Sequence, residues 1–353
     1  MEKRNNWFVN YQSIDASIGQ RDVSFRKEFF YKNDFENKNV LDIGCNMGQM
    51  CKFAYNMGAN NVLGLDYDAS VIKVADSLLD DKEKEKITYL VDDIDNYLCF
   101  TNLKKVDTIL LLSVVETLEL KNRYGMLAKL SALTNVMYLE GHVNSVYSNL
   151  LEMLLNYTLF TTIEFKGYQY DNANFKARDT SRHVFRCAHE KFITEDATQK
   201  ILTLLETKER HVFSIIGNGG TGKTTFKHRL IDYINEHSTV FKFNSDQIEY
   251  NTDGTIVMSK NGIIYDESNS ICIIDDVKLP NFDQIIKTYK FVICVDYRAM
   301  EYISGVNSLF YMNYDINERF NNRELKYKYD RSPTIYKNSL KTLENVYHIT
   351  RDK

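Results

Sequence analysis

Residues 214–230, SIIGNGGTGKTTFKHRL, join an apolar run to an amphipathic one through a glycine-rich turn. Gly217, Gly219, Gly220 and Gly222, with Asn218 and Thr221 between them, permit a tight loop whose amides and following helix N-terminus point at an anion. Lys223 adds a cation for terminal phosphates, and the Thr224 hydroxyl, followed by Thr225, suits a magnesium ion. Downstream, SICIIDDV reads as an apolar strand ending in Asp275 and Asp276, carboxylates expected to partner that metal. A second glycine turn lies upstream, in VLDIGCNMGQMCKFA, residues 40–54. There Asp42 closes a buried strand, and Gly44, Cys45, Asn46 and Gly48 turn the chain into a helix. The next strand, NVLGLDYD, delivers Asp66 at its carboxyl end, 24 residues after Asp42, placed to accept both hydroxyls of a ribose. The run G-C-N-M-G-Q is not G-x-G-x-x-G, so pyrophosphate is not its natural ligand.

Elements must hold these turns, and the chain is long enough for two cores at 353 residues. Short apolar runs alternate with amphipathic stretches, the pattern of βα units on a parallel sheet. Strands are expected near 39–43, 61–66, 87–91, 106–112 and 135–140, then near 211–216, 239–243, 270–275, 291–295 and 308–312. Residues 186–210 pass from a polar start to Ile201, Leu202, Leu204 and Leu205, a linker followed by a helix. The expected organisation is residues 1–190, a linker and helix over 191–209, and a second domain over 210–353. With 44% apolar and 26% charged residues, the composition is that of a soluble globular protein. The apolar run at 109–115 is far short of a membrane span. MEKRNNWFVN has no signal-peptide core, and six scattered cysteines read as reduced core residues in a cytoplasmic protein. A net charge of −4 disfavours a duplex-binding surface.

The upstream constellation resembles class I S-adenosylmethionine-dependent methyltransferases over roughly residues 35–145, through Asp-x-Gly-x-x-x-Gly at 42–48 and the strand-end features that follow it. The resemblance implies that Gly44 and Gly48 let the backbone approach the donor and that Asp42 orients the turn, often through the donor's amino group. Asp66 would hold the ribose, Asp93 and Ile94 the adenine, and Ser113 would lie under the methionine part. Ser113-Val114-Val115-Glu116 is unlike the motifs of amino- or cytosine-methylating DNA enzymes. Glu140 and His142, after the fifth strand, are candidate base or acceptor ligands; Arg21, Arg26, Lys27, Arg178, Arg182 and Arg186 are candidate cations for an anionic acceptor.

The downstream loop satisfies G-x-x-x-x-G-K-[ST], and NSDQIE after the second strand resembles small P-loop kinases, including polynucleotide kinases. That resemblance implies Asp246 as the base for an attacking hydroxyl and Arg319 and Arg323, four apart on one helical face, as a phosphate clamp. Residues 250–268, a turn-rich hairpin with Gly254 and Gly262, depart from the substrate-holding helices of nucleoside kinases. The fold class expected is therefore α/β in two domains: a Rossmann-like methyltransferase sheet, then a P-loop kinase parallel sheet. The cofactors implied are S-adenosylmethionine, ATP and Mg2+.

One polypeptide with two activated donors makes most sense if a shared acceptor sees both, a small molecule or glycan. The pairing resembles methyltransferase–kinase systems that cap bacterial surface polysaccharides with methyl phosphate, the best-known of which uses a different kinase fold. Modification of nucleic-acid ends is the less favoured alternative, suggested by NSDQIE and by the basic and aromatic residues of 321–341. A nucleotide-gated regulator is the other.

Overall fold

The computed structural model describes residues 26–94, 105–115, 123–142, 145–169, 182–190, 193–216, 223–244, 249–250, 256–257, 263–274, 282–295, 306–313 and 343–350. The chain divides into two compact units, Met1–His189 and Glu190–Lys353.

In the first unit the strands are β1 (Asn39–Ile43), β2 (Asn61–Asp66), β3 (Ile87–Val91), β4 (Val106–Leu112), β5 (Thr134–Glu140), β6 (Thr162–Gln169) and β7 (Arg182–Ala188). Helices α1 (Gln49–Asn56), α2 (Ala69–Ser77), α3 (Asp81–Lys84), α4 (Arg123–Leu133) and α5 (Tyr147–Tyr157) connect them. The order is β6-β7-β5-β4-β1-β2-β3. β1 to β5 run parallel; β7 is antiparallel to both β5 and β6. The central strands β1, β4 and β5 are mostly buried because both of their faces are covered, whereas the edge strand β3 is largely exposed. Strand order reverses between β1 and β4, so a crevice opens beyond their carboxyl ends, where α/β sheets hold their ligands. β7 enters at Arg182 from that same edge, since Glu140 at the end of β5 pairs with Val184.

Two buried arginines fasten the start of the described chain to this sheet. Arg186 on β7 forks onto Asp34, Nε to Oδ2 at 2.7 Å and Nη2 to Oδ1 at 3.0 Å. Tyr138 Oη donates to the same Asp34 Oδ2 at 2.6 Å and accepts the Tyr31 amide. Around this pair Phe30, Phe35, Phe53 and Tyr138 pack edge-on, tilted and, for Phe35 on Tyr138, stacked, with ring centroids 4.7–6.1 Å apart. Arg186 is thus not available to an acceptor, because its guanidinium is committed to a buried carboxylate.

The second unit carries β8 (His211–Ile216), β9 (Glu249–Tyr250), β10 (Ile256–Val257), β11 (Ile263–Tyr265), β12 (Ile271–Ile274), β13 (Phe291–Val295), β14 (Ser308–Asn313) and β15 (Asn345–Thr350). Its helices are α6 (Thr194–Thr207), α7 (Lys223–His237) and α8 (Phe282–Thr288). The order is β11-β12-β13-β8-β14-β15, parallel except for β11, while β9 and β10 form a separate hairpin. Ala197, Ile201, Leu204 and Leu205 of α6 share a core with Phe226, Leu230 and Ile234 of α7. The strand expected near 239–243 is reduced to one bridge, Phe243 with Asp266. Asn235 explains it: its side chain takes the Phe243 amide at 2.7 Å and donates to the Phe243 carbonyl at 3.1 Å, standing in for a neighbouring strand. β6, β7 and β15 are additions to the expected set, and β9, β10 and β11 fall in the stretch expected as a turn-rich hairpin.

Candidate active site

At the β1–α1 turn Gly44, Asn46 and Gly48 all have positive φ, at 71°, 50° and 76°. Two of these positions admit only glycine. A Cβ on Gly44 would stand 2.6 Å from Val114 Cγ2, and one on Gly48 would stand 1.9 Å from Tyr89 Oη. The turn is tied to β2: Leu65 O accepts the Gly44 and Cys45 amides at 2.7 and 3.0 Å. Asp66 adds a second tie, accepting the Asn46 amide at 2.9 Å on Oδ2 and the Asp68 amide at 3.0 Å on Oδ1. With the Tyr67 amide also drawing on this carboxylate, its two oxygens still leave room for a ligand hydroxyl. Burial raises the Asp66 carboxyl above the ordinary range, against the pull of those amides.

Asp42 lies below the turn, buried, and accepts from the Cys51 thiol at 3.2 Å. Burial pushes its carboxyl up to about 7. Nearby Arg26 offsets that burial only in part. The Asn46 side-chain oxygen is likewise buried and without a hydrogen-bond partner. These groups fit the methyl donor: an acid for its ammonium, a backbone surface cleared of Cβ atoms, and an acid at the ribose position. Asp93 is exposed just past β3 and Ile94 is buried beside it, on the same edge.

Across the crevice, Ser113 takes φ 59° after β4. Its amide donates to Glu140 O at 2.8 Å and its Oγ to Glu140 Oε1 at 2.6 Å. Arg26 Nη2 reaches both Glu140 oxygens, at 3.1 and 3.0 Å. Glu140 is therefore not a free base awaiting substrate, as its place in the sequence suggested. It is a buried, ion-paired carboxylate that positions Ser113 and Arg26. Half-buried His142 follows it, its carbonyl accepting the Ser145 amide. Arg26 is no exposed cation either: it is buried on Glu140.

Sequence reasoning missed Tyr89. Its ring lies against Gly48 and Gly64, with Oη buried and unpartnered. Tyr89→Phe is expected to stabilise the protein by about 1 kcal/mol in urea unfolding, since an unsatisfied buried hydroxyl is lost. A destabilised variant would mean that the hydroxyl is bonded in solution. Periodicity marks Tyr89 only as a strand residue; nothing local ties it to a turn 41 positions earlier.

In the second unit, β8 and α7 flank the phosphate loop motif, and Lys223 opens α7. Gly217, Asn218, Gly219, Gly220, Thr221, Gly222, Asp246, Asp275, Asp276, Arg319 and Arg323 lie outside the described residues, as does the side chain of Thr224. The topology still bears on the metal ligands. β13 stands between β8 and β12, so the strand leading to Asp275 is two spacings, roughly 10 Å, from the loop strand. At the opposite end of β8, buried His211 meets Ser308 Oγ at 2.8 Å; burial lowers it to about 4, leaving a neutral structural imidazole.

The fold defines an α/β domain on a mostly parallel sheet, with the β1–α1 turn where strand order reverses. Residues 40–135 match the family model described as a methyltransferase domain, and the first unit carries that domain. Among similar solved structures is the bifunctional kinase-methyltransferase WbdD, 18% identical, with a TM-score of 0.42 over 53% of this chain and 46% of that one. This chain thus spans about half the length of that protein. A putative RNA methyltransferase from Pyrococcus horikoshii is 17% identical, with a TM-score of 0.36 over 44% of this chain and 76% of that one. The N-terminal domain of EvdMO1, in the presence of SAH and D-fucose, is 12% identical, with a TM-score of 0.40 over 50% and 88%. No helix among the described residues is long and apolar enough to cross a membrane.

Proposed function

We propose that the first unit moves a methyl group from S-adenosylmethionine to an acceptor, and that the second phosphorylates a hydroxyl of the same acceptor, a glycan or small molecule, with ATP and Mg2+. The observation that carries the first half is the β1–α1 turn, where Gly44 and Gly48 clear the backbone above a buried Asp42 and beside Asp66. The second half rests on the motif Gly217–Thr224 between β8 and α7.

S-adenosylmethionine supplies a sulfonium methyl, which transfers in line to a nucleophile. Asp42 would orient the donor's amino group and Asp66 its ribose, while Ser113 and Glu140 shape the floor beneath the methionine part. Glu140 is committed to Arg26, which favours an acceptor oxygen that is already anionic, such as a new phosphate. Transfer to such an oxygen needs alignment and no strong base. Arg182, buried at the start of β7, and His142, after β5, lie at the same edge of the sheet and would be the groups nearest an acceptor there. In the second unit Lys223 would meet the terminal phosphates, Thr224 with Asp275 and Asp276 the metal, Asp246 the attacking hydroxyl, and Arg319 and Arg323 the transferring phosphate.

Calorimetry with S-adenosylhomocysteine, and separately with Mg2+ and a non-hydrolysable ATP analogue, tests the two halves. Heat from both is the expected result; silence from either removes that half. Labelled ATP and labelled donor on a candidate glycan test the order. A Lys223→Ala protein that methylates at the full rate would show that phosphorylation does not come first.

A further inference from the structure

β3 ends the sheet of the first unit, and the bonds at its two ends show which backbone groups it leaves over. Lys86 O accepts the Val62 amide at 2.8 Å, and the Asp92 amide donates to Asp66 O at 3.0 Å. In a parallel ladder alternate residues face the neighbour, so Thr88 and Leu90 turn their amides and carbonyls to β2. Ile87, Tyr89 and Val91 turn theirs outward, where nothing among the described residues pairs with them. The side chains do little to protect this edge: Leu90 is 39% and Val91 46% exposed, and Thr88 is exposed as well. A free row of amides and carbonyls beside exposed apolar side chains is a template for another strand.

The flanking charges select the partner. Exposed Lys86 precedes the strand and half-buried Asp92 follows it, both on the face that carries Thr88 and Leu90. We propose that the first unit self-associates through β3, a second copy of this chain pairing antiparallel about a twofold axis at Tyr89. Each Lys86 then lies opposite the partner copy's Asp92, and each Thr88 opposite its Leu90. Tyr89 meets Tyr89 and Ile87 meets Val91 as hydrogen-bonded pairs, which satisfies the outward amides and carbonyls of both chains. A slip of two residues sets Lys86 opposite Leu90 or Ile94 and loses both ion pairs. An unfavourable pair, Glu85 with Asp93, falls beyond the strand ends.

Sedimentation of the full chain from about 1 to 100 μM should show a monomer–dimer equilibrium, because a five-residue edge makes a modest interface. Lys86→Asp sets like charges opposite each other twice and should weaken the dimer about 30-fold. Lys86→Asp/Asp92→Lys exchanges the signs, keeps both pairs, and should recover all but about 3-fold of that loss. Cross-linking reads the register independently. A Thr88→Cys protein mixed with a Leu90→Cys protein and oxidised glutathione should form a disulfide between the two chains, since this pair brings Cα atoms to about 4.5 Å. Mass spectrometry of the joined peptides identifies it, and neither variant alone should give it. A chain that stays monomeric at about 100 μM, or a dimer indifferent to Lys86→Asp, would overturn the proposal. So would a mixture that yields no such cross-link, or a variant that cross-links to itself at the new position.

Discussion

Asp42→Asn is expected to stabilise the free protein at pH 8 while removing most of its affinity for the methyl donor. Burial lifts the Asp42 carboxyl from 3.8 to about 7. The folded protein thus keeps a proton that the unfolded chain gives up, and stability declines as pH rises from about 4 to about 7. Above that window the ionised group costs about 4 kcal/mol, taking 1.36 kcal/mol for each tenfold step. Asparagine avoids this cost but buries an amide N–H without an acceptor, worth about 1–3 kcal/mol. A net gain of about 2 kcal/mol at pH 8 remains, shrinking toward zero near pH 5. Urea unfolding at the two pH values measures it. A variant no more stable than its parent at pH 8 would place the Asp42 ionisation in the ordinary carboxylate range.

Donor binding should run with the opposite sign. An ammonium prefers the ionised carboxylate, so affinity for S-adenosylhomocysteine should climb up to tenfold per pH unit below about 7 and level off above it. The groups facing Asp42 are Cys51, Arg26 and Asp66, and burial holds the Cys51 thiol well above its usual value. In Asp42→Asn the pH dependence should flatten, and affinity at pH 8 should drop at least about 30-fold. Calorimetry from pH 6 to 8 reads both effects together. A variant that keeps the parental slope would assign the titration to another group.

Arg186→Met should cost about 3–5 kcal/mol in urea unfolding, because it strands Asp34 in the interior. Tyr138 Oη would remain as one donor to that carboxylate, and the second oxygen would lose its partner. Asp34→Asn/Arg186→Met should recover part of the loss, since Asp34 is then neutral while buried Glu164, 3.7 Å from Arg186 Nη1, still loses that cation. If the double variant is as unstable as the single one, packing of the arginine stem carries the effect and the ion pair does not.

The sequence was most legible where one short stretch determines its own backbone. Asp42-x-Gly44-x-x-x-Gly48 between an apolar run and an amphipathic one dictates strand, turn and helix, because left-handed φ and cleared Cβ space are local demands. Asp66 was placed for the same reason: it ends the next strand, and parallel pairing brings strand ends to one edge.

What the residues around those turns do was settled only by the fold. Glu140 and Arg26 are 114 positions apart, and Arg186 and Asp34 are 152 apart. No periodicity links such partners, so as bare sequence Arg26 and Arg186 read as acceptor cations and Glu140 as a base. Folding takes all of them out of water, and a charge out of water must take whichever opposite charge the sheet brings within reach. The 239–243 segment shows the same limit: apolar residues announce a strand, but Asn235 supplied the hydrogen bonds that a neighbouring strand would have made. By itself the chain fixed the Gly44–Gly48 turn and Asp66, the acid at the end of the next strand. Tertiary structure chose the partners of its buried charges, because burial, which no local pattern encodes, makes those partners obligatory.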